Sequence, residues 1–251
     1  MKKIFSTKAV VSGHSRGLGA AVAAELLSSG IPVLGLARAG NAALAKAHPD
    51  LLTEVALDLA DSAAVARWLA SDGLTRFIVG AGTVLLVNNA GTVQPMAPLA
   101  EQDPALIARA VALNVAAPLQ LAAALAAVGG TAACRILHVS SGAGRNAYPG
   151  WSVYGATKAA LDHHARAVAL EGKEGLRVCS LAPGVVDTEM QGEIRATPEA
   201  LFPLKDRFLA LKQEGQLTSP TAAAKRLVAY LRSAAFGEAP VVDLRELPDA
   251  P

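Results

Sequence analysis

Tyr154 and Lys158 stand four residues apart in Trp151-Ser152-Val153-Tyr154-Gly155-Ala156-Thr157-Lys158. On a helix that spacing puts both side chains on one face, one turn apart. A tyrosine is a poor acid or base at neutral pH, because its reference pKa is about 10. A neighbouring ammonium favours the phenolate, and so tunes the phenol toward general acid work near neutrality. A pair at fixed spacing also suits an ordinary surface helix, so its meaning depends on what surrounds it. Thirteen residues earlier, the apolar run Ile136-Leu137-His138-Val139 ends in Ser140-Ser141-Gly142-Ala143-Gly144. A hydroxyl at the carboxyl end of a strand, here Ser141, lies where open α/β sheets bind their ligands. Two adjacent serines alone carry little information.

Near the N-terminus, Lys8-Ala9-Val10-Val11-Ser12 is short, apolar and β-branched, which predicts a buried strand. It runs directly into Gly13-His14-Ser15-Arg16-Gly17-Leu18-Gly19, and a helix is predicted from Ala20 to Ser29, stopped by Gly30 and Pro32. Strand, glycine-rich turn and helix form the setting of a dinucleotide fingerprint. Glycines let the backbone approach a pyrophosphate, and the helix start offers free N–H donors and a positive dipole end. The spacing is Gly-x-x-x-Gly-x-Gly, which three ordinary turn glycines would also produce. Another apolar strand runs into Asn88-Asn89-Ala90-Gly91. There an asparagine can tie the strand end to neighbouring backbone and Ala-Gly leaves room for a ligand. A polar turn is the plainer alternative.

These residues need a scaffold that brings strand ends together. Apolar segments recur at roughly 8–12, 32–37, 52–57, 83–88, 134–140, 176–182 and 240–244, with helix-like segments between most of them. This predicts a Rossmann-type α/β fold: a doubly wound, parallel, seven-stranded sheet with helices on both faces and right-handed crossovers. At 251 residues the chain suits one α/β domain spanning 1–251 and is too short for an added substrate domain. The stretch from about 188 to 217 carries Pro198, Pro203 and mixed charge, and reads as a long irregular segment covering the substrate. The tail from Leu247 to Pro251 reads as frayed.

The net charge of +2 gives no reason to expect a polyanionic partner, and no basic cluster points to nucleic acid. The sequence shows no apolar run of the roughly 18 to 20 residues needed to span a bilayer, so no membrane is expected. Ser6, Thr7 and Lys8 interrupt the first apolar stretch too early for a leader. Cys134 and Cys179 fall in predicted strands and read as buried free thiols, which suits a reducing, cytoplasmic setting. No metal site is expected.

The second strand ends Leu34-Gly35-Leu36-Ala37-Arg38. In dinucleotide folds an acidic residue near this point accepts from the ribose 2′-OH of NAD. Here stand Ala37 and Arg38, with Arg16 in the glycine turn. Two guanidiniums suit a 2′-phosphate through charge-assisted bonds, although two solvated arginines would read the same way. NADP(H) is therefore the expected cofactor.

Together and in this order, the motifs resemble the short-chain dehydrogenase/reductase family along essentially the whole chain. Asp58-Leu59 after the third strand, Asn114 forty residues before Tyr154, and Pro183-Gly184-Val185-Val186-Asp187-Thr188 after the sixth strand add to the match. Asn89 to Met96, Ser140 to Gly144, Pro183 to Gln191 and Phe208 to Leu217 resemble the sepiapterin reductase and benzil reductase branch.

The resemblance implies a carbonyl reductase with Asn114, Ser141, Tyr154 and Lys158 as its catalytic group. Tyr154 would donate the proton, and Ser141 would hold the carbonyl oxygen. Lys158 would lower the tyrosine's pKa and bond the nicotinamide ribose, and Asn114 would bend its helix and hold a relay water. It further implies cofactor contacts from Gly13, Ser15, Arg16, Gly17, Leu18, Gly19, Arg38, Asp58, Leu59, Asn89, Ala90, Gly91, Tyr154, Lys158, Pro183, Gly184, Val186 and Thr188. Tyr148, Trp151 and Met190 flank Ser141 and Tyr154 as candidate substrate walls, and Glu246 falls near the place of an acidic pterin contact. The expected substrate is a small carbonyl compound, a vicinal diketone of benzil or pterin side-chain type. A 3-oxoacyl-thioester or steroid reductase, and a non-catalytic NADP sensor, stay open as alternatives. Helices at 103–128 and 152–171 would pack a homodimer or homotetramer.

Overall fold

The computed structural model describes residues 6–130 and 132–248. The expectations about a leader and about the last residues of the tail fall on 1–5 and 249–251, outside the described residues. Seven strands form one sheet: β1 Thr7–Ser12, β2 Val33–Ala37, β3 Leu52–Ala56, β4 Thr83–Asn88, β5 Ala133–Val139, β6 Leu176–Ala182 and β7 Val241–Asp243. Each lies within one residue of the segment read from sequence. All neighbours are parallel, in the order β3-β2-β1-β4-β5-β6-β7. The chain works outward from β1 to β3 and then returns to start β4 on the other side of β1. At that reversal the connections leave in opposite directions and open a crevice at the carboxyl ends of β1 and β4.

Alternation along the strands builds two cores. Ala9 and Val11 of β1, Leu85 and Val87 of β4 and Leu137 of β5 face one side, where helices α1 (Gly17–Ser28) and α10 (Pro220–Arg232) cover them. Val10, Val84, Leu86 and Ile136 face the other. That side is covered by α3 (Ser62–Leu69), α4 (Gly73–Ile78), α6 (Ala117–Val128) and α7 (Ser152–Leu170). Both faces being buried explains why the inner strands read as near-continuous apolar runs. The remaining helices are α2 (Ala42–Ala47), α5 (Pro104–Val111), α8 (Glu189–Ala196) and α9 (Lys205–Gln213). Side-chain caps mark several starts: Asp61, Asp103 and Ser219 accept from Ala64 N, Ala105 N and Ala222 N, with a proline opening α5 and α10.

Four expectations change. Helix α1 begins at Gly17 instead of Ala20, because Ala20 N already donates to Arg16 O and the glycine turn closes into the first helical turn. The 103–128 helix is not regular: Ala112–Ala116 forms a π-helical turn between α5 and α6. The 188–217 segment is not irregular, since it holds α8 and α9, with Pro198 and Pro203 confined to the gap between them. Helices α8 and α9 themselves bury few apolar residues, chiefly Ile194 and Phe208, so mixed charge masked them. Finally, Pro104–Val128 is a 25-residue helical stretch long and apolar enough to cross a bilayer by length and composition. Here it lies on the sheet, with Leu121, Ala122 and Leu125 in the core.

Candidate active site

The carboxyl ends of the strands border a cleft of about 740 Å³. Its floor at the N-terminal side is set by two glycines. A Cβ on Gly19 would lie 2.1 Å from the Gly13 carbonyl oxygen, so α1 packs against the turn too closely for any side chain. Gly13 has φ +71°, and a Cβ there would meet the Ala90 backbone at 3.0 Å. Ser12 and Asn89 lace the turn to β4: Ser12 Oγ accepts from Asn89 N (2.9 Å) and Ala90 N (3.0 Å), and Asn89 Nδ2 donates to Ser12 O (3.1 Å). No side chain caps the start of α1. Its N–H ends therefore point into the cleft beside Ser15, Gly17 and Leu18, as an anion site requires.

Arg38, Ala39 and Gly40 after β2 form the next wall. No carboxylate stands at position 37, and Arg38 lies exposed on the rim. Arg16 is also exposed, but its guanidinium is paired with Glu189 at the start of α8. Asp58 and Leu59 line the cleft beyond β3. Burial pushes the Asp58 carboxyl up, yet the Ala60 amide and the Arg109 guanidinium (3.1 Å) outweigh it and hold the group below the usual range. The sequence reading missed both Arg109 and Glu189. Glu189 directly follows Thr188 and was available as a first-turn acid, whereas nothing local to α5 marks Arg109.

At the other end, Ser141 sits on the turn after β5, and Tyr154 and Lys158 on the first turns of α7. Tyr154 and Ser141 both line the cleft, and Ser141 Oγ accepts from Ala143 N at 3.2 Å. Burial raises the Tyr154 pKa, with the Ser141 hydroxyl opposing. The expected lowering by Lys158 is not the dominant influence here. The ammonium lies 5.7 Å from the ring centroid and donates to Val139 O at 2.8 Å. Burial brings Lys158 itself down to about 8, against the charge of Asp162.

Asn114 lies in the π-helical turn and is buried. Its Oδ1 accepts from Thr92 N (2.9 Å), and its Nδ2 donates to Thr92 O (2.8 Å) and Thr157 Oγ1 (3.1 Å). It thereby joins the loop after Gly91 to the catalytic helix. Asn88, by contrast, turns away from the cleft toward Pro118 O and His138.

Pro183, Gly184, Val186 and Thr188 line the cleft after β6, and Thr188 is the N-cap residue of α8. The outer wall is aromatic. Trp151 is stacked on Phe202 (centroids 4.8 Å) and meets Tyr154 (5.3 Å), Phe208 (5.4 Å) and Tyr148 (5.8 Å) edge-on. Met190, Ile194 and Leu211 complete it. The contribution of Phe202 and Phe208 was missed, because it depends on α9 folding back. Next to Glu246, Arg245 borders the cleft, and its guanidinium is held by Asp243 at 2.9 and 2.7 Å. The chain turns after the short β7, and Glu246 N bonds back to Asp243 O.

Residues 7–199 match the short chain dehydrogenase family. A benzil reductase ((S)-benzoin forming) of Bacillus cereus is 33% identical, over 94% of this chain and 98% of its own length. A sepiapterin reductase of Meriones unguiculatus is 32% identical, over 93% and 94%. The crystal structure of a short-chain dehydrogenase/reductase from Burkholderia vietnamiensis is 52% identical, covers 98% of this chain and 100% of its own, and superposes with a TM-score of 0.72.

Proposed function

Because this chain belongs to the short chain dehydrogenase family and is an oxidoreductase, we propose that it is an NADPH-dependent reductase of vicinal diketones. One observation carries the reading. Ser141, Tyr154 and Lys158 line one cleft together, with the Lys158 ammonium 5.7 Å from the centroid of the Tyr154 ring and one helical turn along α7.

The tight Gly13–Gly19 turn, the uncapped start of α1 and the Asp58 carboxylate fit a dinucleotide. Arg16 and Arg38, with no acid at position 37, favour a 2′-phosphate. NADPH, when bound, supplies the hydride.

The protein's own groups handle the oxygen. Ser141 and Tyr154 donate to the carbonyl oxygen and gain strength as negative charge develops there. Tyr154 Oη then gives up its proton to the alkoxide. Burial keeps the phenol protonated until that moment, which suits an acid. Lys158 places a positive charge beside the phenolate left behind. Asn114 holds the Thr92 loop and Thr157 in register with that group.

The names of the relatives and the aromatic wall of Tyr148, Trp151 and Phe208 together support a flat, aryl-bearing diketone. The adjacent carbonyl withdraws electrons and makes the reacting carbon a better hydride acceptor. Residues of α8 and α9 (Met190, Ile194, Phe208 and Leu211) line this end, and a bound diketone that displaces water there would strengthen each hydrogen bond inside. The test compares kcat/KM for benzil-type diketones, simple ketones and 3-oxoacyl thioesters under saturating NADPH, and then under NADH. Diketones under NADPH are expected to lead. A preference for the thioester, with diketones inert, would assign the chain to thioester reduction instead.

A further inference from the structure

Asp162 lies one turn beyond Lys158 on α7, and its side chain is only 2% exposed. Such a carboxylate is costly unless its oxygens are paired. Here Oδ1 accepts from Ser140 Oγ (2.7 Å, the residue after β5) and Ser180 Oγ (2.7 Å, β6), and Oδ2 from Arg145 Nε (3.2 Å). Arg145 in turn donates to Val242 O of β7. One carboxylate thus joins α7, the end of β5, β6 and, through Arg145, β7. Ser140 directly precedes Ser141, while Tyr154 and Lys158 share the helix with Asp162. None of this network borders the substrate end of the cleft except Ser140 itself.

Lys158 is 5% exposed and needs a compensating charge. From α7 it faces Tyr154 and Asp162; from β5 it faces His138, which burial, His164 and Lys158 hold down at about 3 and therefore neutral; from the π-helical turn it faces the uncharged Asn114. Asp162 is faced by Arg145 and Lys158, by the two serine hydroxyls and by Cys179, whose thiol burial pushes up to about 11. The charge of Arg145 also reaches Asp243. The anion acting on Lys158 is Asp162, and Arg145 reaches the lysine through that carboxylate.

We infer that Asp162 is a positioning residue for the Ser141, Tyr154 and Lys158 group: the buried counter-charge of the lysine, and the tie that fixes the serine strand end against the tyrosine helix. The inference deepens the proposed function and rests on its assignment of Tyr154 and Lys158.

The test reads the lysine directly in the cofactor-free protein, by competitive acetylation with acetic anhydride across pH and mass spectrometry of the Lys158 peptide. The native lysine should titrate near 8. Asp162→Asn removes the opposing charge and should lower that midpoint by about one unit or more. Arg145→Gln frees the carboxylate from its cation and should raise it. Ser180→Ala deletes one neutral donor and should leave it in place. A purely structural role would not move the two charge variants in opposite directions. An unmoved midpoint in Asp162→Asn overturns the inference, and if that variant does not fold, an unmoved midpoint in Arg145→Gln does so. In turnover, the basic limb of the kcat profile should follow the same shifts. Turnover that survives Lys158→Ala would instead defeat the catalytic assignment, and the acetylation result would stand apart from it.

Discussion

The Lys158 ammonium lies 5.7 Å from the centroid of the Tyr154 ring and donates to the Val139 carbonyl at 2.8 Å instead of to the phenol. Burial then dominates the tyrosine and holds it in its acid form above the ordinary range. In the cofactor-free protein Tyr154 should ionise later than a solvated tyrosine. The ultraviolet difference between native protein and Tyr154→Phe, followed through an alkaline titration, should show this phenolate only above pH 10. Tyr154→Phe should also cut turnover by about 10²-fold or more while leaving NADPH affinity nearly intact. A difference signal already complete well below pH 10, or near-native turnover in the variant, would remove Tyr154 from the role of buried acid.

Lys158 gives a stability signature of defined sign. Its folded-state pKa is depressed from 10.5 to about 8, chiefly by burial. Between those values the unfolded chain still carries a proton that the native protein has lost, so this group makes the native state more stable as pH rises. The contribution is absent below about 8 and complete above 10.5. Lys158→Met should abolish it. The native-minus-variant unfolding free energy, from denaturant titrations at several pH values, should climb by roughly 3 kcal/mol across the interval. Taking the difference cancels the opposite trend expected from Cys179, whose pKa burial raises to about 11. A flat difference would mean that Lys158 is not buried in its charged state.

What the sequence disclosed follows the physics of each signal. The central strands were legible because both faces of the sheet are buried there, which makes Val84–Val87 apolar without a break. The glycine turn was legible because Gly13 and Gly19 have no room for a side chain. Helices α8 and α9 were not, because they bury little beyond Ile194 and Phe208 and their charge reads as loop. The π-helical turn at Asn114 leaves no mark on spacing, since it depends on Thr92 and Thr157 reaching the same amide. Pairings such as Arg109 with Asp58 join residues 51 apart and exist only once the sheet is formed.

Arg16 meets Glu189 across the cleft mouth, although Arg16 is also a candidate for the 2′-phosphate. Both side chains are more than 60% exposed, so the pair contributes little to folding. Its effect should fall on the cofactor. A bound 2′-phosphate would compete for Arg16 and repel Glu189. Glu189→Gln should therefore tighten NADPH several-fold and leave NADH unchanged, as read by quenching of protein fluorescence. Arg38→Asp should weaken NADPH about tenfold or more, since a charge-assisted contact is worth roughly 1.5–3 kcal/mol. Equal changes for both cofactors in these variants would place the two arginines away from the phosphate.

Trp151 is the centre of the aromatic wall, and its Nε1 is buried with no hydrogen-bond partner among the described residues. Its indole therefore contributes shape and area, while its N–H carries an unmet cost. Trp151→Phe deletes that donor and keeps a ring against Phe202. The smaller area and the relieved donor oppose one another, and the loss in unfolding free energy should stay under about 1.5 kcal/mol. Trp151→Ala leaves a cavity among Phe202, Phe208 and Tyr154, and should cost about 3–5 kcal/mol. Because the Trp151 ring meets Tyr154 at 5.3 Å, the alanine variant should also lose kcat in proportion beyond its loss of folded protein, whereas the phenylalanine variant should change mainly KM for aryl substrates. Denaturant unfolding and steady-state kinetics on both variants decide it. Equal destabilisation by Phe and Ala would show that the ring stack with Phe202 does not hold the wall, and that the indole N–H has a partner after all.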